Sequence, residues 1–302
     1  MMTRACVWGS LLLTAAGVVA DETPFMKGRR FAAADYSSGK VCVVEADGSV
    51  SWTQKAPNSN DLWILPGGSV LFTTGHGVKE VCKDGAVKFA YQSQAEIFAV
   101  QRLANGNTFV GECTSGRLLE LTPEGKIAKD LALLPAGKAG GHAYIRNARA
   151  LANGHFLVCH YGGRYVAEYA ADGTVVWTHK TPGGPHSAAR LASGNTLIAC
   201  GDNGTPCLIE VNPEGQTVWQ VSNADLPEQP FKFLTGFQKL PNGNVLMVVC
   251  FLASASNVWG MLRNSDMKTI LLNCAVMAIG VVFSLVWYNS GKVTPSVSWE
   301  SA

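Results

Sequence analysis

The chain has 302 residues, 47% of them hydrophobic and 15% charged, with 32 glycines and a formal net charge of +2. That balance excludes a disordered chain and fits a β-rich globular protein long enough to bury a core. With no Lys/Arg run and no basic patch interleaved with aromatics, it gives no reason to invoke a nucleic-acid partner.

Residues 1–20 read as an export signal. Arg4 supplies the positive end, an apolar stretch follows, and Val18-Val19-Ala20 offers a small-residue cleavage site before Asp21. Cleavage after Ala20 predicts an exported protein, periplasmic or at the cell surface. An uncleaved membrane anchor is the alternative.

The region 21–264 repeats. Leu-x-x-Gly begins at Leu65, Leu103, Leu151, Leu191 and Leu240. In alternation, a turn glycine is followed four residues on by a large apolar residue: Gly48 and Trp52, Gly85 and Phe89, Gly173 and Trp177, Gly215 and Trp219. Gly125 breaks the rule, with Lys129 in the apolar place. Gly turns between runs of aliphatic and β-branched residues are hairpin signals. Four strands in roughly 40 residues make one propeller blade. The prediction is therefore an all-β, six-bladed β-propeller of four-stranded repeats. The first unit has three strands, over 31–36, 41–45 and 50–53, and lacks its own first strand. Complete units cover about 61–91, 98–130, 144–180 and 186–222. The sixth starts at Gly236 and is recognisable only to Cys250, so the last blade is expected to be atypical or incomplete.

The tail, 265–302, holds an uncharged stretch at 270–288. Its length suits one membrane-spanning helix, with Trp287 and Tyr288 at the interface, and that reading is preferred. The alternative is strands that close the propeller, supported by the enrichment in Val, Phe, Trp and Tyr.

There are nine cysteines, one of them in the signal. Their repeat-matched positions, such as Cys113, Cys159 and Cys200, read as small core residues rather than a disulfide ladder. Cys200 and Cys207 flank a short loop and are the one pair singled out as able to join. No Cys-x-x-Cys signals a redox pair or a thiolate zinc site. Walker, dinucleotide, His-Glu-x-x-His and Gly-x-Ser-x-Gly motifs are also missing. Asp202-Asn203-Gly204 reads as a turn, not a calcium loop.

Strand order places the candidate chemistry. First-to-second and third-to-fourth turns share one face. Second-to-third loops and blade crossovers share the other, and these are longer and more varied. His76, His142, His160 and His186 fall on that long-loop face, with Asp61, Glu96, Glu112, Arg117, Arg146 and Arg164. His155, in a tight turn, and His179, in an outer strand, do not. Imidazoles, carboxylates and guanidinium groups converging near the axis suit an anionic or metal-linked ligand. Equally, such loop side chains can tie blades together. No metal ligand set and no cofactor is assigned.

The repeats AADGTVVW at 170–177 and VNPEGQTVW at 211–219 resemble those of quinoprotein-like propellers. Gly106-Asn107-Thr108-Phe109 and Gly194-Asn195-Thr196-Leu197 resemble bacterial exported propellers related in form to aryl sulfotransferases. The first resemblance implies a face able to hold pyrroloquinoline quinone with calcium. This sequence has no adjacent Cys-Cys pair of the kind often stacked on that cofactor. The second implies a histidine that accepts a sulfate group, for which His142, His160 and His186 are the positions to consider. The leading expectation is an exported propeller that binds a small ligand or protein partner on its long-loop face. The alternative is a small-molecule enzyme of sulfotransferase-like or quinoprotein-like type.

Overall fold

The structure is a computed structural model that describes residues 30–251, apart from 37, 202–203, 226–232, 241–242 and 244, together with 282–288. The expected signal at 1–20 lies outside the described residues.

Six antiparallel sheets follow one another along the chain. The first has β1 (Phe31–Asp35), β2 (Lys40–Val44) and β3 (Val50–Lys55). The second has β4 (Leu62–Ile64), β5 (Val70–Thr73), β6 (Gly77–Val81) and β7 (Val87–Gln92). The third has β8 (Ile97–Arg102), β9 (Thr108–Glu112), β10 (Arg117–Leu121) and β11 (Ile127–Ala132). The fourth has β12 (Asn147–Ala150), β13 (Phe156–His160), β14 (Tyr165–Tyr169) and β15 (Val175–Lys180). The fifth has β16 (Pro185–Arg190), β17 (Thr196–Cys200), β18 (Cys207–Val211) and β19 (Thr217–Ser222), followed by a short 3₁₀ turn at Asn223–Asp225. The sixth has β20 (Phe233–Lys239), β21 (Val245–Phe251) and β22 (Val282–Tyr288). Four four-stranded blades thus lie between two three-stranded ones, which is the expected propeller.

The turns explain why the blades repeat. In the fourth blade Gly173 sits at φ 88°, where a side chain would be strained. It donates its N–H to Ala170, whose own N–H bonds the Thr174 carbonyl. A bulge between Glu168 and Tyr169 then restores the register of β14 with β15. The same bulge recurs at the same place in each of the first five blades.

Buried faces meet between blades. Leu157, Cys159 and Val166 of the fourth blade pack with Ala188, Ile198, Cys200, Cys207 and Ile209 of the fifth. Each large aliphatic side chain buried this way contributes roughly 1.5–3 kcal/mol. β1 is only half-buried along its length, and among the described residues no strand lies inside it.

A polar staple repeats beside this core. Glu80, Glu120, Glu168 and Glu210 each occupy the fourth place of a third strand. Arg102 of the third blade reaches back to Glu80 at 2.6 Å and lies 5.2 Å over the Phe89 ring. Arg190 of the fifth blade pairs with Glu168 and lies 5.2 Å over Trp177. Lys239 of the sixth approaches Glu210 at 3.6 Å. In the equivalent place the fourth blade has Ala150, and Glu120 pairs instead with Lys129 of its own blade at 2.7 Å. That explains the Lys129 exception: the outer-strand lysine supplies the cation that no neighbouring blade provides.

The tail corrects one reading. Val282–Tyr288, the end of the stretch preferred as a membrane helix, is a strand paired antiparallel to β21, from Val245↔Tyr288 to Phe251↔Val282. Its backbone pairs with the open edge of β21, a requirement that hydrophobicity alone did not reveal. No helix among the described residues is long and apolar enough to cross a membrane. The rest of 265–302 lies outside the described residues.

Candidate functional site

The crossovers deliver their polar residues to the inner strands, and four of the expected residues meet there. Glu96 precedes β8, His142 and Arg146 precede β12, and His186 is the second residue of β16. Together they form a contact chain across the third, fourth and fifth blades.

Its geometry is specific. His142 Nδ1 lies 2.9 Å from both oxygens of Glu96. An Nδ1–H directed at that carboxylate leaves Nε2 as an acceptor, and Nε2 faces Arg146 Nη1 at 3.5 Å. Arg146 Nε donates to His186 Nε2 at 3.2 Å. The guanidinium carbon lies 4.5 Å over the Phe98 ring and 5.9 Å from the Tyr161 ring centre.

Solvent access differs along the chain. The His142 side chain is 62% exposed, whereas His186 is buried. His186 packs edge-on against Tyr161 and Phe233. Burial first, and the Arg146 charge second, hold its pKa well below the ordinary histidine value. It is therefore a neutral imidazole that accepts from Arg146. The arrangement is a carboxylate that orients an exposed imidazole, beside a guanidinium held flat by aromatic rings.

The other candidates lie apart from this chain. His160 is buried, stacked on Tyr165 at 4.4 Å, and takes the Tyr169 hydroxyl at 2.8 Å on Nε2. Burial lowers its pKa to about 4. It belongs to an aromatic box of Tyr144, Tyr165 and Tyr169. Glu112 is buried and accepts from Ser93 and Ser115, both at 2.6 Å, with Arg117 at 3.4 Å. Arg117 also grips Asp130 at 2.5 Å. This pair ties strands together. Asp61 receives both terminal nitrogens of Arg149, at 2.6 and 3.0 Å, and the Val100 N–H at 3.0 Å. His76 and Arg164 are exposed in second-to-third loops. As read from the sequence, His155 and His179 lie elsewhere, on Glu168 at 2.7 Å and against Trp177 at 6.1 Å.

Phe98, Tyr161 and Phe233 wall the site and were not foreseen. Phe98 is the second residue of an inner strand, as is His186, so repeat alignment could have placed it. The calcium-supported quinone implied by the repeats does not fit these residues. Arg146, Phe98 and Tyr161 occupy the mouth, and no group of three or more His, Cys, Asp or Glu among the described residues could hold a metal ion.

Comparison with known proteins agrees with the architecture. A family profile described as "Outer membrane protein assembly factor BamB" matches residues 136–255. No curated protein matches the chain by sequence. A Bacteroides caccae protein of unknown function is 24% identical, with 69% of this chain and 78% of that one covered and a TM-score of 0.62. A catalytically inactive His-to-Ala variant of Staphylococcus aureus virginiamycin B lyase, solved with quinupristin, is 14% identical, with 83% and 86% covered and a TM-score of 0.59. The WD40 propeller domain of Doa1 is 12% identical, with 85% and 75% covered and a TM-score of 0.57. Such low identities speak to fold alone. The sheet order and the match over 136–255 together support a β-propeller of the quinoprotein-like, BamB-like repeat type.

Proposed function

We propose that this is an exported propeller that binds a small ligand or protein partner on its long-loop face, at the mouth formed by Glu96, His142, Arg146 and His186. The observation that carries the reading is the exposed His142 imidazole, oriented by Glu96 and set beside Arg146. A buried staple such as Glu112 or Asp61 holds blades together, whereas the His142 ring is left largely in solvent. The matching chemistry is an oxyanion held by Arg146, a carboxylate or phosphate on a small molecule or on a partner's side chain, with His142 Nε2 accepting from a hydroxyl of the same ligand where it carries one. Export rests on the signal read at 1–20 and agrees with the match over 136–255 to a family of outer-membrane assembly factors.

The test begins with native mass spectrometry of the purified chain, to detect a co-purified ligand. Thermal-shift titrations with succinate and inorganic phosphate follow. Binding should weaken at least tenfold in Arg146→Ala and in His142→Ala, with the fold retained. Wild-type affinity in both variants would refute the site. Turnover of an added ester or aryl sulfate, lost in His142→Ala, would replace the binding reading with an enzymatic one.

A further inference from the structure

We propose that Cys200 and Cys207 form a cross-strand disulfide that joins β17 to β18 where these strands pass the wall of His186. Cys200 is the last residue of β17 and Cys207 the first of β18, and they are direct register partners. Directly opposed residues in an antiparallel pair have Cα atoms about 4.5–5.5 Å apart. A disulfide spans about 4.4–6.8 Å between Cα atoms, a range that directly opposed positions meet. Both side chains are buried and point into the same cluster.

Other described cysteines lack this arrangement. Cys42 is paired with Ala33 and Thr53, and Cys159 with Asn147 and Val166. Cys113 directs its thiol at the His142 carbonyl at 3.0 Å. Among the described residues, Cys200 and Cys207 are the directly opposed cysteine pair.

The neighbouring backbone links this pair to the candidate site. A Cβ placed on Gly201 would lie 3.0 Å from His186 Cδ2. The Gly201 N–H bonds the Gly184 carbonyl at 2.7 Å, two residues before His186. Joining the two strands therefore stiffens the backbone against which His186 packs.

The thiols are also unequal. The Cys207 thiol is lowered from the ordinary value, chiefly by its hydrogen bond with Cys200, and the Cys200 thiol is raised by the same bond and by burial. That hydrogen bond favours Cys207 as the first nucleophile. Its thiolate attacks one sulfur of a low-molecular-weight disulfide, releasing one thiol and leaving a mixed disulfide. Cys200, once deprotonated, attacks the Cys207 sulfur and expels the second thiol. The protein loses two electrons and two protons, and the oxidant's two sulfurs take them up.

The test uses the full chain, incubated with oxidised glutathione, then denatured and alkylated with N-ethylmaleimide. No Lys or Arg lies between Arg190 and Lys232, so both cysteines fall in one tryptic peptide, 191–232. That peptide should be 2 Da lighter than its reduced form and carry no maleimide. The melting temperature should rise by about 5 °C, and a reductant should reverse the change. Cys159→Ser should leave the mass shift intact, while Cys207→Ser should abolish it. Peptide 191–232 carrying two maleimides after oxidation, a stable glutathione adduct, or a link to Cys159 would each overturn the proposal. The wild-type map decides the question even where a variant fails to fold.

Discussion

Arg190→Ala is the sharpest probe of what holds neighbouring blades together. The substitution removes the ion pair with Glu168, whose side chain is only 12% exposed, and a hydrogen bond to the Gly194 carbonyl at 3.0 Å. It also removes the guanidinium stacked 5.2 Å over Trp177. A charge-assisted hydrogen bond contributes about 1.5–3 kcal/mol. A partly exposed cation–π contact adds about 0.5–1 kcal/mol. The expected loss is therefore about 3 kcal/mol, or roughly 6–12 °C in melting temperature for a domain of this size. Part of that loss is the Glu168 carboxylate left with His155 and Asn153 alone. Glu168→Gln in the Arg190→Ala background should therefore recover about 1 kcal/mol. Lys239→Ala is the internal control. Its pair with Glu210 is 3.6 Å long and its side chain 33% exposed, so the loss should stay below about 1 kcal/mol. The assay is reversible urea unfolding followed by circular dichroism, with midpoints compared at constant slope. Equal losses for Arg190→Ala and Lys239→Ala, or no recovery in the double variant, would refute the staple.

Three further outcomes are expected. The folded-state pKa of His160 is depressed from 6.5 to about 4, so its contribution is full above pH 6.5 and is lost as pH falls toward 4. Stability should drop by about 1.4 kcal/mol per pH unit across that window; thermal melts of His160→Phe should show a shallower slope, and an unchanged slope would exclude the buried neutral imidazole. Asp61→Ala strands Arg149 and the Val100 N–H, and should cost about 3–5 kcal/mol in denaturant unfolding, whereas Asp61→Asn should cost less. Truncation after residue 251 removes β22 and exposes the edge of β21, so soluble monomer should fall in size-exclusion chromatography; an unchanged monomer yield would show that β22 is dispensable.

What the sequence disclosed follows from which constraints are local. Turn glycines at Gly85, Gly173 and Gly215 have positive φ, a demand that only a few residue types meet, so hairpins could be read directly. Strand direction then placed Glu96, His142, Arg146 and His186 on one face without knowledge of any contact. The aromatic wall was not legible, because Phe98, Tyr161 and Phe233 come from three blades and match no short spacing. The separation of His142 from His160 was equally hidden. Both are loop-face histidines, yet Tyr144, Tyr165 and Tyr169 close over only one of them. The tail misled because an unbroken apolar run is compatible with a helix in lipid and with a strand at an unpaired edge. The staple glutamates recur five residues before each turn glycine, a regularity visible in the sequence once the pairing Arg and Lys are known.

The Asp61–Arg149 pair has a consequence for the order in which the chain matures on the ribosome. Most other contacts between blades join immediate neighbours, which can be made as each unit emerges. Asp61 also serves a neighbour, Val100, but its bidentate partner lies 88 residues downstream and one whole blade beyond. At translation rates of about 5–20 residues per second, the carboxylate waits roughly 4–18 s for its guanidinium. Only when the fourth blade arrives can the pair close, and it then links three units at once.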